Sequence, residues 1–191
     1  SLALLCAVFT TNTQAAAEHK HASAPKNAPD GWTTAAPRDE IRPQFSFNAK
    51  GGPDGLGSFV IQCDAREALD GYWTKTFSVQ GGRHYRFSAL RKLEHVASAR
   101  RSAVVRLVWQ DATGRSVTTD EPIVSDVLPG FARTAEPEFP TDGATNARGW
   151  TQVSGLYRAP AKAARAIVEL HLQWAPHGQA EWSQVSLAET M

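Results

Sequence analysis

Short stretches of this chain alternate apolar and polar residues with a period of two, the pattern of a strand that buries one face. The stretches are Gly57–Asp64, Tyr72–Val79, His84–Arg91, Ala103–Gln110, Gln152–Arg158, Ala166–Trp174 and Glu181–Leu187. In Ala103–Gln110, Val105, Leu107 and Trp109 share one face, and Val104, Arg106 and Val108 share the other. In Ala166–Trp174, Val168, Leu170, Leu172 and Trp174 form the apolar set, opposite Ile167, Glu169, His171 and Gln173. Tyr85, Phe87 and Ala89 alternate in the same way with Arg86 and Ser88. Gly51-Gly52, Gly81-Gly82 and Asp111-Ala-Thr-Gly114 supply the positive-φ residues that tight turns require. No stretch sustains a helical period, so the pattern predicts an all-β, antiparallel sandwich of the jelly-roll kind. From Thr118 to Gly149 alternation lapses around Pro122, Pro129, Pro137 and Pro140, and the segment carries Asp120, Glu121, Asp126, Glu136, Glu138 and Asp142. Such a long connection is either a functional loop or a surface excursion pinned by its prolines.

Composition narrows the partners. The chain has 191 residues, 42% hydrophobic and 20% charged, which suits one globular domain of ordinary size. Its net charge is +1, and Arg100-Arg101 is too short a run to attract nucleic acid or an anionic membrane. The apolar run from Leu2 to Phe9, followed by Thr13-Gln-Ala15, resembles the core and cleavage regions of a secretory signal peptide; the alternative is the start of a buried element. The expected layout is a signal peptide over 1–17, lacking its charged start, a tether rich in Ala, Lys, His and Pro over 18–30, and a sandwich over 31–188. An exported location follows, periplasmic, cell-surface or secreted. Of the two cysteines, Cys63 would remain after processing, and its alternation with Phe59 and Ile61 places it in the core as an inert thiol.

The order of motifs carries a resemblance. Gly57-Ser-Phe-Val-Ile61, Gly82-Arg-His-Tyr-Arg-Phe-Ser-Ala89 and Val105-Arg-Leu-Val-Trp-Gln-Asp-Ala112 form a first half. Gly149-Trp-Thr-Gln-Val-Ser-Gly-Leu-Tyr-Arg-Ala-Pro160, Ala166-Ile-Val-Glu-Leu170 and Glu181-Trp-Ser-Gln-Val-Ser-Leu187 form the second. Together they resemble the galactose-binding-like jelly-roll carbohydrate-binding modules attached to polysaccharide-degrading enzymes. Pro37-Arg-Asp-Glu-Ile-Arg-Pro43, Tyr72-Trp-Thr-Lys-Thr-Phe77 and His171-Leu-Gln-Trp-Ala-Pro176 look more narrowly like an exported module that precedes carbon–nitrogen hydrolase (nitrilase-like) domains. The resemblance implies a non-catalytic module that binds polysaccharide or oligosaccharide and targets an attached or partner enzyme. The narrower one implies an accessory or docking domain of such a hydrolase, with no sugar binding of its own. Many modules of this kind end in a strand with paired aspartates, one of whose carboxylates helps hold a structural calcium ion. Here the matching positions are Ser183 and Gln184, which carry no charge, so no cofactor is expected, with a structural calcium ion as the alternative.

Sugar recognition needs aromatic planes against C–H faces, and polar side chains that match hydroxyl groups. Arg106, Glu169, His171 and Gln173 share the polar side of two predicted strands, with Tyr72 and Trp73 at its margin, and these six form the expected ligand face. The plain alternative is a solvated sheet face with routine cross-strand ion pairs. Trp109 and Trp174 fall on apolar faces and are expected in the core; Trp32 and Trp150 are expected as packing anchors, and the side of Trp182 is open. The sequence has no Gly-x-Ser-x-Gly elbow, phosphate loop or His-Glu-x-x-His pair, so no catalytic residue is assigned.

Overall fold

The computed structural model describes residues 25, 27–120 and 133–190. In chain order its strands are β1 (Thr33–Ala35), β2 (Gln44–Asn48), β3 (Ser58–Gln62), β4 (Asp70–Ser78), β5 (His84–Glu94), β6 (Val105–Gln110), β7 (Thr141–Thr145), β8 (Thr151–Arg158), β9 (Arg165–Gln173) and β10 (Gln179–Glu189). One helical turn, α1 (Ala99–Ser102), lies between β5 and β6. The strands make a four-stranded sheet ordered β1-β4-β9-β6 and a six-stranded sheet ordered β2-β3-β10-β5-β8-β7. Every pairing is antiparallel. The expected signal peptide and most of the expected tether lie outside the described residues, as does 121–132 of the long connection. Packing reaches back before Gly31: Ala28 touches the core, and Lys75 Nζ donates to the Asp30 carbonyl.

The apolar faces predicted by alternation meet between the two sheets. Trp73, Val105, Leu107, Val168, Leu170 and Leu172 come from the smaller sheet, and Phe59, Ile61, Phe87, Val153 and Trp182 from the larger. Burial of these faces is the main stabilising term, because apolar area removed from water contributes roughly 25 cal/mol per Å². Aromatic rings fill one end. Phe59 contacts Trp32, Phe47 and Trp73 at centroid distances of 4.5, 5.2 and 5.2 Å, tilted or edge-on as ring quadrupoles favour. Trp109 joins the core as expected, Trp32 and Trp150 pack as anchors, and Trp182 resolves to the inner face. Cys63 is buried just after β3, and burial, with the Asp64 charge behind it, pushes its thiol up to about 11.

Segment 118–149 is more ordered at its described ends than the lapse of alternation predicts. Leu107 and Glu138 exchange backbone hydrogen bonds, and Thr118 bridges Thr134, so the chain runs along the open edge of β6 before crossing to form β7. That crossing is pinned by charge. Arg91 points inward from β5, donating to Asp142 Oδ2 at 2.7 Å and to the Ala103 carbonyl at 2.7 Å.

Candidate functional site at the loop end of the sandwich

The expected ligand face exists as a geometric unit, with one exception. In the β4–β9–β6 register Tyr72 stands opposite His171, and Glu169 lies between Thr74 and Arg106. Tyr72, Arg106, Glu169, His171 and Gln173 therefore share the outer side of the four-stranded sheet. Trp73 does not: it points the other way, is fully buried, and its indole donates to the Val60 carbonyl at 3.1 Å. The period of two that puts Tyr72 outside must put its neighbour inside.

These side chains are turned toward one another. His171 Nε2 lies 3.0 Å from Glu169 Oε2, which is also 3.5 Å from Arg106 Nη1. On the other side of the imidazole, Nδ1 is 3.8 Å from Asp70 Oδ1. The Tyr72 ring stacks on His171 at 4.5 Å, and the Gln173 amide donates to the Arg101 carbonyl at 2.9 Å. His171 is only 3% exposed and Tyr72 7%. Burial alone would lower the imidazole pKa, but the two carboxylates that flank it, Glu169 in a hydrogen bond and Asp70 at 3.8 Å, outweigh this and raise it. Burial, reinforced by the Glu169 charge, pushes the Tyr72 phenol up to about 12. The chain runs from the half-exposed Arg106 through Glu169 to His171, and among these groups the buried Asp70 Oδ1 and His171 Nδ1 make no hydrogen bond.

A half-exposed aromatic ring, with Arg101 over one face, occurs elsewhere. Trp174, expected in the core, is 47% exposed. The strand stops at Gln173, and Trp174 takes a positive φ of 53° at the start of a turn, so alternation no longer decides its side. The turn signal was present in Pro176 and Gly178, directly after the strand. Its backbone is held throughout: Trp174 N–H donates to Leu69, His177 N–H to Asp64 and Gly178 N–H to Ala175, each at 2.8 Å.

The facing wall is the loop from His95 through α1. Arg101 lies 5.5 Å from the Trp174 ring centroid as a cation–π contact. Between the walls is a cavity of about 660 Å³, lined by Glu67, His95, Ser98, Arg101, Trp174 and Pro176 among others. It combines a ring plane with a hydroxyl, an imidazole, a guanidinium and a carboxylate, the mixture that recognises a polyhydroxylated ring. A smaller hollow of about 330 Å³ on the outer face of the six-stranded sheet is lined by Ser88, Leu90, Asn146, Gln152 and Gln184, but the Trp150 beside it is buried and offers no plane.

The calcium ion implied by the resemblance does not fit the residues at its matching positions. The Ser183 hydroxyl donates to the Gly57 carbonyl and the Gln184 amide to Asp54 Oδ2, each at 2.8 Å. A β-bulge in β10 places Gln184 there with φ 52°. Neutral donors thus occupy the oxygens a cation would need, and no group of three or more metal-ligating side chains occurs among the described residues.

Comparison with known proteins bears on the fold. No family model and no curated protein matches the sequence. Among solved structures, the enzymatically active domain of tailspike protein 4 from bacteriophage CBA120 is similar with a TM-score of 0.59 and 14% identity, covering 84% of this chain and 20% of that one. The CBM22-1–GH10 modules of Clostridium thermocellum xylanase 10B, complexed with xylohexaose, give 0.53 and 14%, covering 85% of this chain and 26% of that one. A family 16 carbohydrate-binding module gives 0.52 and 10%, covering 77% and 86%. These likenesses show the fold alone, an antiparallel jelly-roll sandwich. This chain spans about a fifth and about a quarter of the first two structures' length.

Proposed function

We propose that the protein is a non-catalytic glycan-binding module whose ligand sits against Trp174 at the loop end of the sandwich. The observation that carries this is the exposed indole, held by a hydrogen-bonded turn and facing a cavity with varied polar groups. Rigid placement of a plane lowers the entropy lost on binding. As an exported module it concentrates an attached or partner enzyme on its glycan, since tethering replaces free diffusion by a high effective concentration. Docking onto a carbon–nitrogen hydrolase without sugar binding fits the surface less well. A docking face needs a contiguous apolar patch, whereas the large apolar residues exposed among the described residues are only Leu56, Phe139, Leu156 and Trp174, and polar groups line the cavities beside Phe139 and Trp174. Native affinity electrophoresis through gels cast with plant, algal or bacterial polysaccharides tests the reading. At least one polymer retards the chain, and Trp174→Ala abolishes that retardation; equal retardation of the variant overturns the assignment.

A further inference from the structure

Arg100 and Arg101 point to opposite sides of α1. Arg101 lines the Trp174 cavity, and Arg100 lines a neighbouring cavity of about 400 Å³ between the edges of β6 and β7. Arg91 and Asp142 form part of that second cavity, with Phe139, 54% exposed, as another open ring. The acidic residues in the two cavities are few. Asp142 is held by Arg91 at 2.7 Å, which leaves Glu67. Among the described residues neither Arg100 nor Arg101 meets a carboxylate within ion-pair distance. Arg91, itself buried, keeps an unpartnered Nε. Of the three guanidinium groups lining the two cavities, only Arg91 is paired with a carboxylate.

We infer that the two cavities form one site for an acidic glycan, whose carboxylate or sulfate groups are taken by Arg100 and Arg101 while Trp174 and Phe139 cover its sugar faces. This rests on the glycan-binding reading and names its ligand class. A guanidinium presents a planar fork that fits a carboxylate or sulfate through paired hydrogen bonds, and such charge-assisted bonds are stronger than those to a hydroxyl. Two forks on either side of one helical turn, each beside an aromatic ring, suit a chain with repeated anionic groups.

The test runs the full chain through gels containing polygalacturonate, its methyl ester, dextran sulfate or dextran. Expected is binding to one of the two anionic polymers at least about tenfold tighter than to its neutral counterpart, with a similar loss in the Arg100→Gln/Arg101→Gln variant. Polygalacturonate retardation assigns a uronate carboxylate, and dextran sulfate retardation a sulfate ester. Arg86→Gln, on the outer face of the six-stranded sheet, should match the wild type, and thermal unfolding confirms that each variant folds. Equal binding to charged and neutral polymers, or an anionic preference retained by the double variant, overturns the acidic-ligand inference alone. Failure of these and all other polysaccharides to retard the chain overturns it together with the glycan reading.

Discussion

Replacing Glu169 separates a structural role for the outer-face network from a ligand-binding one. Its carboxylate lies between His171, 4% exposed at the side chain, and Arg106, 39% exposed. Removing one partner of a buried ion pair costs roughly 3–5 kcal/mol, and the partial exposure of Arg106 reduces this to about 2–3 kcal/mol for Glu169→Ala. In a domain of this size that lowers Tm by about 4–12 °C. The network also has a pH signature. The folded His171 pKa is raised above its ordinary 6.5, so protonation favours the folded state. That stabilisation is fully present below pH 6.5 and is lost as pH rises through the higher folded value. The groups facing the imidazole are Asp70, Glu169 and Tyr72, with Arg106 one step beyond. Urea unfolding of wild type, Glu169→Ala and His171→Gln between pH 5.5 and 9 measures both effects. Wild type should lose stability across the upper part of this range by a component that His171→Gln lacks, while both variants keep glycan binding when folded. Parallel pH profiles, an unchanged midpoint for Glu169→Ala, or lost binding in a folded variant would refute the reasoning.

Other parts of the structure give sharper single readouts. Asp142→Ala leaves Arg91 buried without its carboxylate and should cost about 2–4 kcal/mol in urea unfolding, because an unpaired interior charge is more costly than a lost surface bridge. The neutral donors Ser183 and Gln184 predict that excess calcium and a chelator give the same Tm; a rise of several degrees with calcium would show a site the folded state binds. In a Cys6→Ser chain, the remaining Cys63 should resist a thiol reagent while folded and react on unfolding, since burial disfavours its thiolate; prompt labelling of the folded chain would contradict this.

Much of the architecture was legible because strand alternation records which face is buried. Val105, Leu107 and Trp109 against Arg106, and Val168, Leu170 and Leu172 against Glu169 and His171, gave the correct inner and outer faces. The elements that escaped have little to alternate. β1 is three residues long, and β7, Thr141-Asp-Gly-Ala-Thr145, has no large apolar residue and exists by pairing with β8. β2 does alternate, with Phe45 and Phe47 inward, and its signal was in the sequence. The site was less legible for a different reason. Alternation assigns a face but not how the groups on it pair, so it placed Glu169 and His171 correctly without showing that they bind each other. It also fails where a strand ends, which is where Trp174 turns outward.

Trp174 gives the central claim a direct optical readout. Of the six tryptophans, Trp32, Trp73, Trp109, Trp150 and Trp182 are buried, so acrylamide quenching of the native chain reports almost entirely on Trp174. The measurement is a quenching titration of the folded protein with and without oligosaccharides of the retarding polymer. The account predicts substantial quenching of the free protein, lost in Trp174→Phe, and protection by the sugar with the same midpoint as binding. Sugar that binds while leaving the quenching unchanged would place the glycan elsewhere and contradict the account.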